Sequence, residues 1–352
     1  MATKKQLEAA KLLHEALNGD RKAAFMLSEG ISTSDLPVQL SPALTAIMLN
    51  NYAEQPKIWG EFATRHVLPD FETQNYWQLM PWGDEDIERE TGGVRFMDGG
   101  LPNIPEYDEY PRIRFEATEQ QLRARKSGVA VQFSWELLKN PSRVNLIQQA
   151  FSEFGRRAAV AEDHEATKML VSTENFNSAN GNLATGDAAG PLSLPVLEAA
   201  FQQIAEQEYN GRRVTVPTNY KLVVSSANVL TARQIQAITD IEMVQTSNGV
   251  ETRTRTGNPV ASRFTIVENP YLLQAGANEA DWYLVPTPGS TPNPSVLVTF
   301  VQGEETPKVF VKRTTASAPE EGSFENDDYE TKVRTTATGG FLRPEGTLAY
   351  RA

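Results

Sequence analysis

Hydrophobic positions change their period sharply within residues 126–172. Gly128, Ala130, Val131 and Phe133, set between Lys126 and Ser134, form a short apolar run that reads as a strand. Past Glu136, Leu137 and Leu138 come Asn140 and Pro141, an N-cap residue followed by the residue best suited to the first helical position. Ile147, Phe151, Phe154, Ala158 and Ala161 then recur at three- and four-residue steps, and the stripe continues to Met169 and Leu170. A helix running to Ser172 would measure about 45 Å at about 1.5 Å per residue, well beyond the common length of about 11 residues. Such a helix is expected to act as a girder across a domain.

On the N-terminal side, Ser41 and Pro42 predict the start of a helix that ends near Asn51. Residues 51–82 are rich in aromatic residues and proline without a period, which predicts an arm that packs along another surface. Residues 83–128 carry few bulky aliphatics, glycine pairs at Gly92-Gly93 and Gly99-Gly100, and strand-like alternation at Arg112, Ile113, Arg114 and Phe115. A two-stranded ribbon alone is marginal in water, so this one is expected to be steadied by a neighbouring subunit.

Beyond the long helix, residues 175–191 form a loop of small and turn-forming residues. Ser193 is expected to cap a helix that carries Val196, Leu197, Ala200, Phe201 and Ile204 and stops at Asn210-Gly211. Tyr220, Leu222, Val223 and Val224 read as a buried strand, and Ser226 as the opening of a helix with Val229, Leu230 and Ile235. Phe264 to Val267 and Trp282 to Val285 read as further strands, making a mixed α/β layer. Val296 to Val301 and Lys308 to Val311 are expected to pair as a hairpin through a turn near Gln302-Gly303. Tyr329 to Arg334 alternates like a half-exposed strand, and a Gly339-Gly340 turn is expected near the end.

At 352 residues and 40% hydrophobic, the chain has room for a core and for two domains with extensions. It contains no cysteine, which excludes a disulfide framework, a thiolate metal site and a cysteine nucleophile. The first twenty residues lack a signal-type apolar segment and no window approaches 18 uncharged apolar residues, so the expectation is a soluble protein assembled inside the cell. The net charge of −12 opposes tight binding of nucleic acid by the bulk of the surface.

Asp84, Glu85, Asp86, Glu88 and Glu90 form an acidic run without the spacing of a calcium loop, and read as a solvated face or an intersubunit patch. Arg112, Arg114, Arg123 and Arg125 supply the opposite sign nearby, so complementary contacts between the loop and a neighbouring subunit are expected from Asp84, Glu85, Asp86 and Glu88 with these arginines. His14, His66 and His164 are far apart and outside any metalloprotease pattern, and His164 is expected on the exposed side of the long helix. Phosphate-binding loops and nucleophile elbows are missing too, so no catalytic residue, metal ligand or cofactor is assigned. Phe71, Tyr76, Trp77 and Trp82 read either as a binding patch or as the anchors of the arm. Lys4, Lys5, Lys11, Arg21 and Lys22 are nearly balanced by Glu8, Glu15 and Asp20, which favours an ordinary amphipathic helix over a DNA- or scaffold-facing segment.

Residues 126–138, KSGVAVQFSWELL, resemble the passage from extended loop to spine helix in tailed-phage major capsid proteins of the Hong Kong 97 fold. The end of the chain is similar to the same family at Val296 to Phe300, Gln302-Gly303, Glu305, Pro307, Val309 to Val311, Phe324 to Asp327, Lys332 to Arg334, Gly339 to Phe341 and Pro344 to Gly346. The resemblance implies an α+β fold in five parts: an N-terminal arm (1–80), an extended β-hairpin loop (81–133), a peripheral domain with the spine helix (134–185), an α/β axial domain (186–314) and peripheral return strands (315–352). It further implies a structural protein, not an enzyme, that self-assembles as hexamers and pentamers of an icosahedral bacteriophage head enclosing double-stranded DNA without reading its sequence. The implied partners are a separate scaffolding protein, a portal and a decoration protein, with assembly in the host cytoplasm and no membrane. The type member crosslinks its subunits through a loop lysine, whereas this loop holds only Lys126, at its base, so noncovalent contacts are expected. The alternatives are an encapsulin-like compartment and an acidic-cleft hydrolase or binding protein.

Overall fold

Helix α3 (Val144–Val171) is the longest element among the described residues. Its 28 residues span about 42 Å at about 1.5 Å per residue. The computed structural model describes residues 36–79, 106, 117–134, 144–209, 212–213, 217–247, 250–291, 294–312 and 328–352. The expected helix start at Asn140-Pro141 therefore lies outside the described residues, as do the strand at 112–115 and the N-terminal charges; the helix end falls one residue before Ser172.

Helix α1 (Leu36–Glu54) lies along α3, with Leu44 and Met48 packed against Ile147 and Phe151 in a cluster shared with Phe133 and Val333. Gly155 makes the close approach possible, because a methyl group there would sit 2.2 Å from the carbonyl oxygen of Met48. A short helix, α2 (Trp59–Phe62), then leads into β1 (Thr64–Leu68).

Among the described residues three sheets and three ribbons follow. β1 pairs in parallel with β12 (Val296–Val301), and β15 (Thr338–Phe341) pairs antiparallel on the other side of β12. All six β12 residues are buried, as a central strand covered on both faces requires. The second sheet runs β10 (Phe264–Glu268), β7 (Tyr220–Val224), β11 (Trp282–Pro286), β16 (Leu348–Tyr350). Its alternate residues serve two cores. Val223, Tyr283 and Val285 join Leu170, Phe62 and Phe300, while Leu222, Trp282 and Leu284 join Phe201 and Ile204 of α4 (Leu194–Ala205) and Ile235 of α5 (Val229–Ala237). The third sheet is antiparallel, in the order β13 (Lys308–Val311), β14 (Asp328–Thr335), β4 (Ser127–Ser134). The ribbons are β2 (Gln74–Leu79) with β3 (Ala117–Leu122), β5 (Glu208–Tyr209) with β6 (Arg212–Arg213), and β8 (Asp240–Ser247) with β9 (Val250–Gly257). The fold is α+β.

Several local expectations are corrected. Helix α1 runs through Ser41 and Pro42 instead of starting there, because packing on α3 outweighs the hydrogen bond that a proline cannot donate. Residues 55–79 are not an irregular arm; they supply α2, β1 and β2, and β1 has no readable period because it is short and edges its sheet. β12 and β13 do not form a hairpin: β12 is buried between two partners, and β13 pairs with β14. Gly339 and Gly340 lie within β15, and the turn comes later, where Gly346 has φ of 73° and Thr347 N–H donates to Pro344 O at 3.1 Å. Helix α4 ends at Ala205 because Glu208 and Tyr209 already pair with Arg213 and Arg212. Asn228, not Ser226, precedes α5, whose Leu230 is exposed. The β8–β9 ribbon was not foreseen, although the two residues between its strands, Asn248 and Gly249, are a strong hairpin signal.

Candidate functional site

Helix α3 carries two adjacent carboxylates, Glu162 and Asp163, that are 0% and 2% exposed. Glu162 lies on the apolar stripe itself, four residues after Ala158 and four before Ala166, so its charge enters the interior wherever that stripe packs. There the Tyr52 hydroxyl donates to its Oε1, while Trp59 Nε1 donates to its Oε2 at 3.0 Å and Lys57 Nζ stands 3.1 Å from the same oxygen. The Lys57 ammonium also sits over the Tyr52 ring, 3.7 Å from its centre. Asp163 accepts the Trp59 backbone N–H at 2.8 Å.

These contacts clamp the turn between α1 and α2 onto α3. Burial, aided by the charge of Glu162, pushes the Asp163 carboxyl up to about 6, and burial with the same neighbour pushes the Tyr52 hydroxyl up. A perturbed carboxyl in a cleft is a common sign of catalysis. This pair is sealed from solvent by the segment it holds, so no substrate reaches it and its role is structural.

His164 does not stand on a fully exposed face. Its ring meets Tyr271 at 4.8 Å between centres, and burial lowers its pKa. The exposed side of the helix is instead at Glu153, which pairs with Arg156 at 2.6 Å and Arg157 at 2.8 Å.

The β2–β3 ribbon rises from the end of the first sheet. Leu68, Ala124 and Val301 bury one another there, with Tyr76 against them and hydrogen-bonded to His66. Trp77 on the same ribbon is 63% exposed and nearby Phe71 is 42% exposed. Arg123 and Arg125 extend exposed side chains from the connection between β3 and β4. The Arg125 backbone is fixed, its N–H donating to Thr338 Oγ1 at 2.8 Å. Asp84, Glu85, Asp86, Glu88, Arg112, Arg114 and Trp82 lie outside the described residues.

One face of the third sheet is strongly charged. Glu304 takes Lys308 at 2.8 Å and Arg334 at 2.9 Å; Glu330 takes Lys312 at 2.7 Å and Gln132 at 2.8 Å. Those donors hold both carboxyls below the usual range. The Arg334 guanidinium also lies 4.5 Å from the centre of the Phe310 ring. Among the described residues no cluster of three or more His, Asp or Glu side chains is arranged to hold a metal ion, and no helix is long and apolar enough to cross a membrane.

The sequence reading did not find the carboxylate clamp or this charged face. The clamp had a usable signal, an acid lying on the apolar stripe of α3, whereas the face exists only once β4, β13 and β14 are brought together.

Residues 118–350, about two thirds of the chain, match the phage capsid protein family. No match was found among curated protein sequences. Among solved structures the chain is similar to a virus-like particle from Pyrococcus furiosus, at 11% identity over 89% of this chain and 100% of that one, with a TM-score of 0.47. It is similar also to the capsid of the cyanophage P-SCSP1u, at 10% identity over 85% and 88% of the two chains, TM-score 0.46. The holo-SrpI encapsulin complex from Synechococcus elongatus shows 9% identity over 85% and 88%, TM-score 0.45.

Proposed function

The chain belongs to the phage capsid protein family, and we propose that its copies, folded on the Hong Kong 97 plan, associate as hexamers and pentamers that close into an icosahedral head around double-stranded DNA. The observation that carries this reading is the family match across residues 118–350. In it, α3 and the β13–β14–β4 sheet form the rim of each capsomer, the β10–β7–β11–β16 sheet with α4 and α5 lies toward its centre, and residues 81–133 reach over the adjacent subunit.

Closed symmetry with self-complementary surfaces is the usual route to large homomers, and several modest contacts per subunit make dissociation rare. The net charge of −12 fits a container whose wall does not hold phosphates tightly. Exposed Arg123 and Arg125 support pairing with the acidic Asp84, Glu85, Asp86 and Glu88 of a neighbour, with Arg112 and Arg114 in the same role. A separate scaffolding protein, a portal and a decoration protein are the further partners, and the host cytoplasm is the site of assembly.

Negative-stain electron microscopy with light-scattering mass, on the protein alone and with its genomic neighbours, tests the reading. Polyhedral shells or capsomer-sized rings are expected. A monodisperse monomer under every condition would overturn it, and native shells that carry a protein cargo in place of DNA would overturn the genome-container part alone.

A further inference from the structure

Two strands bound the third sheet, and they are protected very differently. The outer edge strand β13 begins at Lys308 and is followed by Lys312, the kind of charge that natural sheets place on an exposed edge to discourage further pairing. β4, at the other edge, is eight residues long, SGVAVQFS, with no charged residue and no proline. It pairs with β14 along its full length, and among the described residues no strand pairs with its other side. A long, uncharged edge is a template for strand addition.

The side chains around β4 specify what would be added. Val129 lies on the same face as its paired neighbour Val333, yet Val333 is 7% exposed and Val129 48%. The opposite face places Gly128 and Ala130 beside Arg334 and Lys332, so small side chains leave the two cations overhanging the edge. On that face Lys308 and Arg334 pair with Glu304 and Lys312 pairs with Glu330, and Asp328 shares the face by register. Among the described residues no carboxylate stands within ion-pair distance of Lys332, whose ammonium lies 5.6 Å from the centre of the Phe310 ring. An added strand would lie about 10 Å from β14, within reach of long side chains. Its residues over the cationic face would be acidic, and those on the other face would cover Val129.

We propose that the edge of β4 turned away from β14 accepts a strand from a second copy of this chain, one that turns acidic side chains toward Lys332 and Arg334. A second copy is the occupant because this chain is acidic overall, with 45 Asp and Glu against 33 Lys and Arg, while Lys332 and Arg334 present the opposite sign beside Ala130 and Gly128. The inference rests on the shell reading above and names one contact within it.

Hydrogen exchange of the full-length protein, as assembled shells and as dissociated subunits, reads the contact directly. Antiparallel pairing binds alternate amides to each side, so every second amide of β4 is expected to exchange at least about tenfold more slowly in shells, while those bonded to β14 are unchanged. Ala130→Glu should raise the concentration needed for assembly about tenfold at low salt, and Ala130→Lys, of similar bulk, should not. Equal exchange of β4 in shells and subunits overturns the inference and leaves the shell intact, whether the edge is covered by the chain's own residues or by nothing. So does an equal effect of the two substitutions. If no shell forms at all, the shell reading fails and takes this contact with it.

Discussion

Gly339 of β15 and Glu165 of α3 meet backbone to backbone: a methyl group added to Gly339 would lie 2.2 Å from the Glu165 carbonyl oxygen. The glycine is therefore needed for contact, not for a turn. Gly155 plays the same part on another side of α3, against Met48, so the long helix is approached closely at two places where a side chain is missing.

Gly339→Ala should lower the stability of the free subunit by about 1–3 kcal/mol, since the clash is with backbone that cannot rotate away. Gly60→Ala, where nothing stands within 4 Å of the new atom, should change stability by less than about 1 kcal/mol. Urea unfolding of both variants measures the difference.

Glu162→Ala removes the acceptor of the Tyr52 hydroxyl and the Trp59 indole and leaves Lys57 without its counter-charge. Breaking a buried pair on one side should cost about 3–5 kcal/mol and speed hydrogen exchange between α1 and α2. Glu153→Ala, which breaks exposed ion pairs on the same helix, should cost less than about 1 kcal/mol. Similar losses for the two variants would contradict the clamp.

The clamp also carries a pH dependence of definite sign. The Asp163 carboxyl is raised to about 6 in the fold from an ordinary value of 3.8, so the folded state holds its proton more tightly than the unfolded chain does. That contribution is complete below about pH 4 and is lost as pH rises through about 6. Asp163→Asn keeps an acceptor for the Trp59 N–H and removes the titration. Its melting temperature relative to the unaltered protein should therefore rise between pH 5 and pH 8; a constant difference would refute the assignment.

Trp77 is 63% exposed and contributes little to the subunit's own packing. Trp77→Ala should leave subunit stability within about 0.5 kcal/mol, yet weaken association by about 2 kcal/mol if the ring anchors a neighbour. Sedimentation of assembling protein over a concentration series separates the two effects.

Long-period features were legible from residues alone. The stripe from Ile147 to Leu170 predicts α3 to within a residue at its C-terminal end, and runs such as Trp282 to Val285 identify strands, because burial on one stripe or on two faces imposes a composition whatever the partner is. The residues proposed for intersubunit contact were legible as charge only: Arg123 and Arg125 are exposed, and Asp84, Glu85, Asp86 and Glu88 lie outside the described residues.

Local patterning thus determined by itself that this chain has a girder helix and a buried α/β core, since period and composition are written residue by residue. Only the tertiary structure decided that β1 pairs with β12 across more than two hundred residues, that Gly339 touches α3, and that Glu162 is buried. Strand partners, close approaches and the sign of a sheet face depend on which distant segments meet, and no local period encodes that meeting.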